Sequence, residues 1–397
     1  MSAPAPRLLW LLAISAGMTV ASLYYAQPLL AEMARAFDAP PREIGLVTTV
    51  TQLGYATGML LFVPLADAYD RRLLILGAVG LEAVGLVVVG IAPSLPLLLA
   101  ASYVMGAVTV TPQLSVPYAA TLADDATRGR SVGLVMSGLL IGILLSRTVS
   151  GALARPFGWR APFLIAAGAC VALGLVLARL LPSQRPARRV AYRELLGSLP
   201  RLVATLPPLR RHAVLGGLTF GAFSVFWTTL PFRLATPPLD YGSDTAGLFG
   251  LVGVAGALAA PLAGRLADRF GSRVVNAGAI AVVIVSYAML AAFGDSLVGL
   301  AAGVILLDFG AQANHISNQT RVLGLAPELR NRLNTVYMVS YFLGGSLGSA
   351  LGAFTWNRWA WAGVTACGAG FGVAALVAFF VLPGAVQTRP LVASQSR

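Results

Sequence analysis

Five stretches of this chain run 23 to 41 residues without a charge: Leu8–Ala31, Ile44–Ala66, Ala83–Ala123, Leu333–Asn357 and Trp359–Thr388. A helix rises about 1.5 Å per residue, so about 20 apolar residues cross the hydrocarbon layer of a bilayer. A soluble domain carries roughly 25% charged residues, whereas this chain of 397 residues has 11%, with 57% hydrophobic residues and a mean hydropathy of +0.79. Too little polar surface is left for a water-facing fold. The runs specify an all-α, polytopic membrane protein. The opening "PRLLWLLAISAGMTVAS" has the look of a signal peptide with Arg7 before it, but its apolar run continues into "LYYAQPLL". A retained first span is expected.

The net charge of +13 comes from arginine alone. These arginines are scattered between apolar segments rather than massed on one face, which excludes nucleic-acid binding. Cys170 and Cys367 sit in separate apolar runs, with neither metal-ligand spacing nor a disulfide framework.

Breaks at charges and at Pro/Gly turns give twelve segments: 8–32, 43–66, 73–91, 95–122, 131–154, 161–181, 213–235, 245–266, 274–293, 296–320, 333–355 and 360–382. An even number puts both termini on one side. The N-terminus, alternate loops and C-terminus hold 18 arginines, and the opposite loops hold 5. The positive-inside rule therefore expects cytoplasmic termini in a bacterial inner (plasma) membrane, with Trp159, Trp356, Trp359 and Trp361 anchoring the far side. The linker 182–212 is rich in Arg and Pro, and its leucines recur at helical spacing from Leu195 to Leu206. It reads either as an amphipathic helix lying on the inner membrane surface or as a plain tether.

The chain repeats itself. "PLADAYDRR" (64–72) and "AGRLADRFGSR" (263–273) align Asp67 with Asp268 at an offset of 201, and Met136 and Gly142 align with Met338 and Gly344 at 202. Two homologous halves follow, residues 1–181 and 213–397.

With these motifs the sequence resembles the major facilitator superfamily over essentially its whole length. "GRLADRFGSR" is close to that family's G-x-L-A-D-R-x-G-x-R loop, while the first copy has Val63, Ala68 and Asp70 at three motif positions. Gly133, Gly142, Ser146-Arg147 and Ser150-Gly151 make a degraded antiporter motif, and Ser102 stands where an arginine of the fourth segment would be. The resemblance, nearest to bacterial drug and metabolite exporters, implies two pseudo-symmetric six-helix bundles. It also implies a conformational latch at the loops, here Asp67, Arg71, Arg72 and Arg128, with Asp268, Arg269, Gly271, Arg273 and Arg330 in the second half. The loop charges serve topology as well.

One apolar segment turns polar midway. In "ILLDFGAQANHISNQT" (305–320), Asp308, Gln312, His315 and Gln319 share one helical face, with Asn318 at its edge. Such a face cannot meet lipid. In the resembled family, segments 1, 4, 7 and 10 line a central cavity. Matching candidates are Tyr24, Tyr25 and Gln27 in segment 1, Gln113 in segment 4, aromatics from Phe220 to Trp227 in segment 7, and Asn334, Tyr337 and Tyr341 in segment 11. The polar groups of this set could equally be interhelical glue, and the aromatic ones core packing. Glu82, Arg147 and Asp308 lie deep, each at an insertion cost of roughly 2.5–3.5 kcal/mol. Asp308 is the proton-carrier candidate. His315 is a relay or a structural group, and Arg147 a replacement for the absent arginine or a partner of Glu82.

The expected function is secondary active transport of a small organic molecule by alternating access, with proton-coupled export first and import or uniport of a polar metabolite second. A non-transporting receptor is a third class. No nucleophile–base pair, HExxH or Walker motif points to an enzyme or to ATP, no cofactor is implied, and a monomer in the bilayer is expected.

Overall fold

The computed structural model describes residues 6–124, 127–184, 192–253, 265, 269 and 271–383. Among these, every element is a helix. The first span is α1 (Pro6–Ala21), a turn, a 3-10 turn at Gln27–Leu29 and α2 (Leu30–Ala36). The second is α3 (Pro41–Ile44) with α4 (Leu46–Leu61), and the third is α5 (Arg71–Ile91). The fourth is split into α6 (Leu95–Val108) and α7 (Thr111–Leu122), and α8 (Arg128–Phe157) and α9 (Ala161–Leu180) complete the first half. After α10 (Tyr192–Thr205) come α11 (Pro207–Leu234), α12 (Ser243–Val252), α13 (Ser272–Phe293), α14 (Leu297–Gly324) and α15 (Arg330–Val381). The last joins two spans across a kink at Trp359–Ala360, where Ala360 takes φ 48°. Nine described helices are long and apolar enough to cross a membrane. The expected eighth segment leaves the described residues after 253.

Local chemistry explains the interruptions. Pro28 and Pro112 have no N–H to donate to a preceding turn, and each sits at the start of the piece that resumes its span. Asp70, placed where the family loop has glycine, caps α5 by accepting from Arg72 N at 2.9 Å and also accepts from Gln184 N at 2.9 Å. The seventh span begins at Pro207 rather than near 213, because Pro207-Pro208 suit a first turn and Arg211 donates to Phe379 O at 2.8 Å inside the bundle.

The two halves use glycine alike. A Cβ on Gly142 of α8 would come within 2.5 Å of Gly17 Cα in α1, and one on Gly344 of α15 within 2.6 Å of Gly217 Cα in α11. The repeat seen in sequence is therefore a pair of close helix crossings, first span on fifth and seventh on eleventh. Arg128 Nε donates to Ala120 O at 3.3 Å and Arg330 Nε to Leu323 O at 3.2 Å, so each half caps a helix end with the arginine after its turn. Burial differs between helices: 89% of the apolar stretch of α11 is buried, against 17% of α8, which has residues such as Met136, Leu140 and Arg147 on a cavity. Ile141, Leu145 and Val149 of α8 are exposed, as suits contact with lipid.

Candidate substrate site

A cavity of about 750 Å³ lies between the halves. It reaches the arginine-rich helix ends, where Arg71, Arg330 and Arg332 line it, and it is shut at the end that bears the tryptophans. The seal is made of small and hydroxyl side chains contributed by both halves. Thr48 Oγ1 meets Thr228 Oγ1 at 3.2 Å, Thr228 donates to Ser349 at 3.0 Å, Ser346 donates to Thr49 O at 3.0 Å, and Thr148 donates to Gly247 O at 2.9 Å. Arg155 pairs with Asp244 and Ser243 bonds Glu32 at the rim. Small groups let α4 approach α15, and α8 approach α12, closely enough to exclude a solute. No pattern in the sequence marked these residues, since they are polar but unremarkable in type and matter only where opposite halves touch.

The walls carry most of the expected residues. Tyr24, Gln113, Arg147, Gln312, His315, Gln319, Asn334 and Tyr341 line the cavity, with Phe220 and Phe223. Phe220 stacks on Tyr341 with centroids 4.0 Å apart. Gln113 Nε2 donates to Tyr55 Oη at 3.2 Å, and Gln319 Nε2 to Asn334 Oδ1 at 3.0 Å. His315 Nδ1 meets Tyr337 Oη at 3.0 Å, and Tyr341 lies 4.5 Å from its ring.

Other expected residues lie off this surface. Tyr25 packs edge-on to Phe163 inside the first bundle, because the turn after α1 rotates it away from its neighbour Tyr24. Tyr337 is fully buried behind His315. Asn318 faces α11 and α13, where its Oδ1 accepts from Asn276 Nδ2 at 2.7 Å and meets His212 Nδ1 at 2.7 Å. Asn314 closes this cluster by donating to Asn276 at 3.0 Å and accepting from Asn318 at 2.8 Å. The stripe is thus two faces, one toward the cavity and one holding helices together. His212 and Asn276 had no signal, the first having been counted in the linker.

At the cavity floor the halves meet around Trp227. Its indole N–H donates to Asp308 Oδ1 at 3.2 Å, and the guanidinium of Arg147 lies 4.0 Å from its ring centroid and 4.8 Å from that of Tyr24. Gln27, itself off the cavity, accepts from Arg147 Nε at 2.6 Å. Asp308 is 5% exposed and sits behind this floor rather than on the cavity surface. Arg147 is the cation electrostatically coupled to it, yet no ion pair forms between them. No hydrogen bond joins His315 to Asp308, so no direct relay exists between them in this conformation. Glu82 makes no ion pair with Arg147: it accepts from Ser22 Oγ at 2.8 Å within the first bundle.

The residues expected to form a latch are described in part. The side chain of Asp67, and all of Asp268, lie outside the described residues. Arg71 bonds Thr121 and Gln184, each at 3.4 Å, and Arg72 donates to Ala178 O at 2.6 Å. Gly271 takes φ +83° before α13, Arg273 lies 5.7 Å from the Phe379 ring centroid, and Arg269 is exposed. The linker helix differs from the expected surface helix. Leu195 and Leu199 of α10 line the cavity and Tyr192 Oη donates to Leu61 O at 2.7 Å, so its apolar face covers protein at the mouth.

Two pseudo-symmetric bundles around a cavity open toward one end and sealed at the other define a membrane transporter. The chain belongs to the Major Facilitator Superfamily, whose profile matches residues 9–349 and 212–396. It is 41% identical over 364 residues to the uncharacterized transporter YgaY of Escherichia coli, covering 92% of each chain. It is 37% identical over 358 residues to a probable transporter of Streptomyces coelicolor, covering 90% of this chain and 83% of that one. In fold it is similar to a bacterial homologue of the human lysosomal transporter Spinster in an inward-facing, occupied conformation, with a TM-score of 0.75, 14% identity and 94% of each chain covered. A mutant form of the nucleoside transporter NupG gives a TM-score of 0.74 at 15% identity over 94% of this chain and 98% of that one.

Proposed function

We propose that this protein is a proton-linked secondary transporter of a small amphipathic organic molecule. The bundles 1–181 and 213–397, joined by 182–212, rock about the cavity as a monomer in the bacterial inner membrane, termini and cavity mouth toward the cytoplasm. The observation that carries the reading is the floor. Arg147 from one half and Trp227 and Asp308 from the other converge on one point, behind a cavity of a size that suits small organic ligands. A carboxyl at the seam of two moving bodies can change its exposure between states, as proton coupling requires. The loop arginines and Asp67 and Asp268 act as the latch whose release accompanies rocking.

Export in exchange for protons is the reading that follows from the resemblance to exporters. Movement of proton and solute together is a second reading, favoured by Arg147: a cation beside Asp308 opposes binding of a cationic solute there.

Asp308→Asn in proteoliposomes with an internal pH-sensitive dye tests the coupling. Substrate counterflow should persist while substrate-driven proton flux disappears. Undiminished proton flux removes Asp308 from the mechanism. The sign of the flux relative to the solute decides between exchange and co-transport.

A further inference from the structure

Arg147 is 3% exposed, deep between the bundles. Its Nε is held by Gln27, but among the described residues no acceptor meets either terminal nitrogen, and Nη2 is buried outright. A buried cation left this way is costly unless a ligand of opposite charge completes it. Aromatic contacts with Trp227 and Tyr24 fix the plane of the group without supplying an acceptor. A guanidinium so fixed holds a charged donor ready for an anionic oxygen.

A second observation concerns the path to it. Among the described residues lining the cavity are Arg71, Arg147, Arg330 and Arg332, and no aspartate or glutamate. Low-dielectric walls focus such a field and raise the local concentration of anions. Between mouth and floor the wall is aromatic, with Phe220 stacked on both Tyr341 and Phe223.

Building on the reading of this cavity as the transport path, we propose that Arg147 binds the anionic group of the cargo, a small organic carboxylate with an apolar or aromatic body. The carboxylate meets Nη1, the terminal nitrogen of Arg147 that is not enclosed, and the body lies along Phe223 and Phe220. An anion there also screens Asp308 from Arg147, so anion binding and proton binding support each other, which favours co-transport over exchange.

The test uses the full-length protein in lipid nanodiscs and shape-matched probes: benzoate, benzamide and benzylamine, with 2-naphthoate and 2-naphthylmethylamine as a larger pair. Binding is read by calorimetry. The carboxylates are expected to bind and the amines not. Arg147→Gln should weaken carboxylate binding by about tenfold or more, and Arg147→Lys should retain part of it, since a point charge remains. Equal binding of amines and carboxylates, or of carboxylates to wild type and Arg147→Gln, overturns the proposal, as does the absence of carboxylate binding. The wild-type comparison stands even where a variant misfolds. Counterflow in proteoliposomes separates the two claims. Arg147-dependent carboxylate binding without transport leaves this site and removes the transport reading. Transport of amines but not carboxylates does the reverse.

Discussion

Arg147 and Trp227, from opposite halves of the chain, meet with the guanidinium 4.0 Å from the centroid of the indole ring. The same indole donates its N–H to Asp308. One side chain therefore touches a cation through its face and a carboxyl through its edge, and any rocking of the halves must alter that arrangement.

Trp227→Phe keeps a ring beneath Arg147 but removes the donor to Asp308. A loss of stability of about 1–2 kcal/mol is expected from the lost bond and the weaker ring face. Thermal unfolding in detergent checks this, and the proton-to-substrate flux ratio should change in the same variant. A ratio equal to that of wild type would separate Trp227 from coupling.

The seal offers a direct test of alternating access. With Cys170 and Cys367 replaced by Ser, the pair Thr48→Cys and Thr228→Cys should form a disulfide under mild oxidation, because their hydroxyls stand 3.2 Å apart across the two halves. Oxidised protein should bind solute but not move it, and reduction should restore flux. Transport that continues with the bond intact would show that this seal does not open.

Asn318 is expected to act on stability and not on transport. Asn318→Leu strands Asn276 and His212, which both rely on its side-chain oxygen. The cost should be about 1–3 kcal/mol in thermal unfolding. Flux per folded molecule should stay near wild type, since the side chain lies off the cavity. A selective loss of flux in stable protein would return Asn318 to the substrate site.

The linker helix rests on two leucines. Leu195 is 3% and Leu199 6% exposed, and Leu195→Ser with Leu199→Ser removes roughly 2 kcal/mol of apolar burial at each. The helix should then lift from the mouth, and trypsin should cut at Arg193 and Arg201 faster than in wild type. Unchanged cleavage would mean that Tyr192 and the chain ends hold the helix without them.

The sequence by itself determined the class of fold. Uncharged runs long enough to cross a bilayer leave helices as the only way to satisfy the backbone, and the matched Gly142 and Gly344 announced a duplicated bundle whose close crossings the structure shows. Much of the cavity wall was also legible, because a polar face on an apolar helix must meet protein or water. Tertiary structure alone decided which side of that helix each group serves. Asn318 and His315 stand three residues apart, yet one ties α14 to α11 and α13 while the other lines the cavity. Only packing placed Arg147 over Trp227 rather than beside Glu82 and chose which end of the cavity is shut, since those outcomes depend on contacts between residues 80 to 180 positions apart. Periodicity reports which residues share a face; it carries no information on what that face meets.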